Sequence, residues 1–204
     1  DPSFSVSSRP LNLHLKSGKW SPSDQQKSSD EVTLSFALLR SLNIPFVRIV
    51  SSYGFSKIEK FLTGKKLKLK TPLSEYPSQL LGSLEMNLYE VSSLYEDFFS
   101  LRCRDRGVIK VMQILSSPSK STTRKWVDVI KSSSFFGKTG TSNNGYDNWY
   151  VFYDTRQLFV VWFGHVGKRN IGRLALSGGG VSFDLFREFL TSRAKNIGQG
   201  ICDE

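Results

Sequence analysis

Apolar and polar positions along the chain change their period partway through. Over residues 32–42, Leu34, Ala37 and Leu38 recur at helical spacing, and Ser41 follows one turn later on the same face. Pro45 disfavours the α region at Ile44, so this helix is expected to end near Asn43. A second helix is predicted from Ser56 to about Leu62, stopped by Gly64. A third begins at Asn87, where Asn87 and Glu90 have the spacing of a capping box, and it directs Leu88, Val91, Leu94, Tyr95 and Phe98 inward. Val108 to Leu115 and Arg124 to Ile130 are further short helical segments.

The period then shifts to strands. Phe135 to Thr141 is short and punctuated by glycine. Asn148 to Tyr153 and Leu158 to Phe163 are aromatic and β-branched, joined by the polar Asp154-Thr155-Arg156-Gln157 turn. The last of these is apolar on both faces, as expected of a strand covered by helices on each side. A closing helix is predicted from Val181 to about Arg193, burying Phe183, Phe186, Phe189 and Leu190. Ahead of all this, the first thirty residues are polar and read as an irregular opening segment. One short strand is expected there, where Leu11, Leu13 and Leu15 alternate before Gly18. Helices, then sequential antiparallel strands, then a closing helix make an α+β layout.

Composition narrows the functional classes. The 204 residues are 39% hydrophobic and 23% charged, as in a folded globular chain. No apolar run is long enough to span a bilayer. The chain opens on Asp1-Pro2-Ser3, without Met, and reads as an excised or truncated piece whose anchor or targeting signal lies outside it. A net charge of +10 and a pI near 9.7 suit a nucleic-acid binder or a domain working near an anionic surface or substrate. The basic residues are spread out, however, and the densest cluster, Lys65 to Lys70, reads as a solvated hairpin or loop; no nucleic-acid partner is expected. His14, His165, Cys103 and Cys202 are too scattered for a metal site, and no cofactor is expected. A Cys103–Cys202 disulfide is one possibility the sequence leaves open.

Two segments carry residues suited to chemistry. Ser41-Leu42-Asn43 places a hydroxyl on an apolar helix face, where it needs a partner. Phe136-Gly137-Lys138-Thr139-Gly140-Thr141-Ser142 combines a cation, hydroxyls and glycines in one strand. Its glycines admit a ligand backbone, and Lys138, Thr139 and Thr141 offer donors to a carboxylate. The spacing of a phosphate-binding loop is absent, and a strand follows where such a loop needs a helix.

Penicillin-recognising enzymes carry Ser-x-x-Lys, a Ser-x-Asn-type element and Lys-Thr-Gly in chain order. Ser41-x-Asn43 and Lys138-Thr139-Gly140 occur here in that order. The flanking text resembles the class A, bifunctional penicillin-binding proteins: Val32-Thr33-Leu34 and Ala37 through Pro45 are similar to their second-motif helix. Leu81-Gly82-Ser83 with Leu88-Tyr89-Glu90-Val91 resembles a helix start of theirs. Gly137 through Asn144, with Trp149 and Val161-Trp162-Phe163-Gly164, resembles their third-motif hairpin. The resemblance runs from about Asp1 to Leu190. It implies a penicillin-binding-protein/serine β-lactamase-like α+β fold with an antiparallel sheet flanked by helices. It also implies that residues 1–204 are part of a transpeptidase domain, with a polar tail at 191–204.

The same resemblance implies a peptidoglycan D,D-transpeptidase that acylates a serine with D-Ala-D-Ala stem peptides and is the target of β-lactams. Ser41 would pass a proton to the leaving amine, Asn43 would hold the substrate amide, and Lys138 would bond Ser41 and add positive potential. Thr139, Gly140 and Thr141 would receive the substrate terminus, Thr141 with its N–H in the oxyanion hole. The expected partners are stem peptides and β-lactams on the outer face of the cytoplasmic membrane, with membrane attachment only through a segment outside this chain. An upstream glycosyltransferase domain is also implied.

Two features depart from the family pattern. Ser-x-x-Lys occurs at Ser117–Lys120 and Ser192–Lys195, both after Ser-x-Asn, and both read as chance matches. The nucleophile is therefore expected before residue 1. The connection over 101–136 is short and lacks a Gly-Thr-Gly turn. A D,D-carboxypeptidase or β-lactamase fits less well, since no deacylating carboxylate is evident. The rival of another class is a catalytically decayed scaffold or cell-wall binding module.

Overall fold

A computed structural model describes residues 1–64, 69, 71–116, 136–154, 156–167 and 172–193, the side chains of 190–193 aside. The chain forms two compact units, Asp1–Glu85 and Met86–Glu204.

In the first unit, strand β1 (Ser5–Ser7) pairs antiparallel with β4 (Glu31–Thr33). Val6 faces Val32 across this pair, and the two join Ala37 and Leu42 in a buried cluster flanked by Leu34 and Ile49. Between them, β2 (Leu13–Leu15) and β3 (Gly18–Trp20) form a hairpin. The opening segment thus holds three short strands rather than one, and β1 finds its partner β4 some twenty-five residues away, beyond any local alternation.

Helix α1 spans Leu34–Arg40, and the Thr33 side chain accepts from Phe36 N–H at its start. It ends at Ser41, whose φ of 52° and ψ of 45° form a left-handed cap. Ser41 is the only non-glycine residue with positive φ among those described. Asn43, the expected helix end, instead opens α2 (Asn43–Tyr53). Pro45 lies in the first turn of α2, where its missing N–H has no intrahelical acceptor to lose. Helix α3 (Phe55–Gly64) follows, and Leu73 and Gln79 are buried further on. Gln79 Nε2 donates to the carbonyls of Thr71 at 2.9 Å and Tyr76 at 3.1 Å, closing that loop.

The second unit is layered. Helix α4 (Leu88–Ser100) starts with the capping box read from the sequence, Asn87 and Glu90 exchanging side-chain and backbone bonds of 2.9 and 3.0 Å. Its buried face centres on Phe99, while Leu88 and Tyr89 at its first turn are exposed. Leu88 was expected inside; it stands too near the helix start to reach the aromatic core. Helix α5 (Arg106–Leu115) is capped by Asp105 Oδ1, which accepts from Gly107 and Val108 N–H at 2.7 and 3.0 Å. The helix expected at 124–130 lies outside the described residues, as does most of 191–204.

Strands β5 (Phe136–Thr141), β6 (Asp147–Tyr153) and β7 (Leu158–Gly164) form an antiparallel sheet in the order β5-β6-β7. A π-helical turn (Gly178–Ser182) leads into α6 (Phe183–Arg193). On one sheet face, Tyr150 and Phe152 pack with Phe183 and Phe186 of α6. On the other, Phe99 of α4 stacks on Tyr153 at 4.1 Å and meets Phe136 edge-on at 5.0 Å. Both α4 and α6 pack against β7, which explains its apolar residues on both faces. Phe189, expected inside, stays largely exposed, although its ring lies 6.0 Å from Phe159.

Candidate active site

The two candidate segments lie in different units, and each is built by its own surroundings. Ser41 is exposed and sits beyond the last turn of α1, where the left-handed backbone turns it out of the helix. The expectation of an apolar-face hydroxyl fails for this reason: the helical period ends at Arg40. Backbone held in this region costs about 1–3 kcal/mol for a non-glycine residue and is common at functional positions.

Asn43, two residues on, is held from an unexpected quarter. The Asp24 carboxylate accepts from the backbone N–H of Asn43 and, at 3.1 Å, from that of Ile44, so it caps α2 from nineteen residues upstream. The Asn43 side-chain Nδ2 donates to the Ser23 carbonyl at 2.7 Å. This fixes the amide plane and leaves its oxygen without a donor among the described residues. Ser23 and Asp24 carried no signal in the sequence, because Asp24 caps a helix remote from it.

In the second unit, the alternation of β5 divides its residues between the sheet faces. Phe136, Lys138 and Gly140 point toward α4; Thr139 and Thr141 point toward the π-helical turn. Among the described residues no strand pairs with the outer edge of β5. A ligand meeting Lys138 and both threonines must therefore lie along that edge.

Lys138 shares its face with the aromatic cluster of Phe136 and Phe99. Burial pushes its ammonium down from 10.5 to about 8, and its Nζ donates to the Thr139 carbonyl at 2.8 Å. The Thr141 Oγ1 accepts from Gly178 N–H at 2.9 Å. A Cβ on Gly140 would meet the Trp149 Cβ at 3.5 Å, an ordinary contact. The fold therefore does not demand glycine at that position.

Of the two Ser-x-x-Lys matches, Ser117–Lys120 lies outside the described residues, and Ser192 closes α6. Cys103 is disulfide-bonded, and Cys202 lies outside the described residues. Among the described residues no cluster of His, Cys, Asp or Glu could hold a metal ion, and no helix is long and apolar enough to cross a membrane.

An edge strand bearing Lys-Thr-Gly-Thr, in an antiparallel sheet with helices on both faces, defines the penicillin-recognising class of α+β protein, and known proteins agree. The chain is 31% identical to penicillin-binding protein 1B of Buchnera aphidicola from Acyrthosiphon pisum, over 91% of this chain and 28% of that protein. It is 25% identical to penicillin-binding protein 1B of Haemophilus influenzae, over 91% of this chain and 27% of that protein. It is also 25% identical to penicillin-binding protein 1A of Aquifex aeolicus, over 91% and 29%. A crystal structure of penicillin-binding protein 1A from Haemophilus influenzae superposes with a TM-score of 0.85 at 13% identity, covering all of this chain and 41% of that one. No protein-family model matches the chain. The chain belongs to the class A penicillin-binding proteins and has the α+β fold of their penicillin-binding portion. It spans less than a third of the length of the curated relatives it matches.

Proposed function

We propose that this chain is the C-terminal part of a D,D-transpeptidase domain that cross-links peptidoglycan in the bacterial cell envelope. The observation that carries the reading is β5: a strand with one edge unpaired among the described residues, presenting a partly desolvated cation, two threonines and a glycine the fold does not require. Such an edge takes an extended peptide as an added strand, by main-chain hydrogen bonds. A stem peptide ending in D-Ala-D-Ala brings a carboxylate that Lys138, Thr139 and Thr141 bind by charge-assisted bonds. A β-lactam presents the same carboxylate beside a strained amide.

The chemistry is serine acyl transfer. A serine hydroxyl attacks the penultimate D-alanine carbonyl while a lysine takes its proton, and terminal D-alanine leaves as its amine is protonated. An amine of a second stem peptide then takes the acyl group and regenerates the serine. In this reading Ser41 carries the proton to the leaving amine, and Asn43 holds the substrate amide with its oriented carboxamide. The Thr141 N–H contributes to the oxyanion hole. The nucleophile is a Ser-x-x-Lys serine in the part of the protein preceding this chain. Any membrane attachment likewise belongs outside these residues.

Intact-mass measurement after incubation with a labelled penicillin tests the reading on this chain and on the longer protein. One adduct on the longer protein and none on this chain is the expected result. No adduct on either, with both folded, would replace the reading by a non-catalytic wall-binding scaffold.

A further inference from the structure

We infer that Gly178 is a positioning residue for Thr141, fixing the Thr141 hydroxyl as a hydrogen-bond donor toward a ligand carboxylate. The inference deepens the proposed reading and rests on it. Gly178 N–H donates to Thr141 Oγ1 at 2.9 Å. A hydroxyl has one proton and two lone pairs, so once an N–H occupies a lone pair, the side chain is set and its proton is left for an acceptor outside the protein. Among the described residues nothing comparable binds the Thr139 hydroxyl. Its methyl group lies 3.8 Å from where a Cβ on Gly179 would lie. The two threonines are therefore unequal: among the described residues, a backbone N–H holds the hydroxyl of Thr141 and not that of Thr139.

The seat of Gly178 is too tight for any other residue. A Cβ there would overlap the carbonyl oxygens of Trp149 and Gly140, so the close approach that makes the bond requires glycine. Its far end is fastened too. The fully buried Ser182 donates its hydroxyl to the Asn148 carbonyl at 2.7 Å, and Asn148 is the cross-strand partner of Thr141. The π-helical turn thus grips the Thr141–Asn148 pair at both ends. Single π-helical turns recur at functional positions because they aim a backbone group that an α-helix would bury. A Thr141 preset to donate favours a free carboxylate, which accepts a charge-assisted bond, over an esterified one, whose carbonyl accepts only a weaker neutral bond.

The experiment compares acylation of the longer protein by a penicillin and by its methyl ester. Glycolate in place of Gly178 turns the Ser177–Gly178 amide into an ester, which deletes the N–H without adding a side chain. The expected result is a roughly tenfold fall in acylation by the free acid, the size of one lost charge-assisted bond, with a much smaller fall for the ester. Thr141→Ser keeps the hydroxyl and should keep the acid-to-ester ratio. Thr141→Val in the glycolate background should lower the ratio little further, because both changes act on the one bond from the Thr141 hydroxyl to the ligand carboxylate. Ser182→Ala, which loosens the far end, should lower the ratio by a smaller factor and serves if the glycolate protein does not fold. Equal falls for acid and ester, or an unchanged ratio in the glycolate and Ser182→Ala proteins, overturn the inference alone. Absence of any adduct on the unaltered protein overturns the transpeptidase reading and this inference with it.

Discussion

At the scale of single residues, Lys138 carries the clearest pH signature. Its folded-state value is lowered to about 8, while the unfolded chain titrates near 10.5. Below pH 8 the ammonium is charged in both states, and the folded state bears its full desolvation cost. Between pH 8 and 10.5 the unfolded state holds more protons, so stability rises with pH across that window. Denaturant unfolding should therefore show the unaltered protein gaining on Lys138→Met from pH 8 to pH 10. Acylation by a penicillin should run the other way. The cation that attracts the carboxylate is lost as pH rises through about 8, and stopped-flow rates on the longer protein should fall there with Lys138 in place but not in the variant. Ser41 shows a different residue-scale effect, since its left-handed φ of 52° is a backbone property that no spacing rule announces.

At the scale of elements, helix starts separate what was legible from what was not. Asn87 and Glu90 are three residues apart, so their reciprocal capping could be read from the sequence and is present. The cap of α2 could not, because Asp24 reaches Asn43 and Ile44 across nineteen and twenty residues. Asp24→Ala should cost about 1 kcal/mol of stability, the usual effect of removing a helix N-cap. It should also slow penicillin acylation of the longer protein, since the first turn of α2 carries Asn43. Thermal unfolding and acylation rates measured on one preparation check both effects, and an unchanged acylation rate would remove Asp24 from any supporting role. The strands repeat the lesson. Aromatic and β-branched runs located β5, β6 and β7, but β1 and β4 were missed as a pair because each has only three residues.

At the scale of the whole molecule, net charge matters more than any single ion pair. The ion pairs among the described residues, such as Arg9 with Asp30, are exposed and contribute little. A net charge of +10 instead sets a positive field that draws anionic ligands and is screened by salt. Acylation of the longer protein by a carboxylate-bearing penicillin should slow when salt is raised from about 0.05 to about 0.5 M, as the screening length shortens to a few ångströms. The methyl ester of the same penicillin should respond less, and equal responses would exclude steering by charge. Each unit also has its own buried cluster, Val6, Val32, Ala37 and Leu42 in one and Tyr150, Phe152, Phe183 and Phe186 in the other.

The sequence by itself determined the α+β order of elements, the helix from Asn87, the three-stranded sheet and the strand that carries Lys138, Thr139, Gly140 and Thr141. All of these rest on periods and caps spanning a few residues, where backbone hydrogen bonding is local. Only the tertiary structure decided which sheet face each of those side chains takes, that Asp24 holds Asn43, and that Gly178 binds Thr141. The triple glycine at 178–180 is plain in the sequence. Its purpose is not, because a glycine required by close approach is defined by the carbonyls it approaches, and those, on Trp149 and Gly140, belong to strands remote in the sequence.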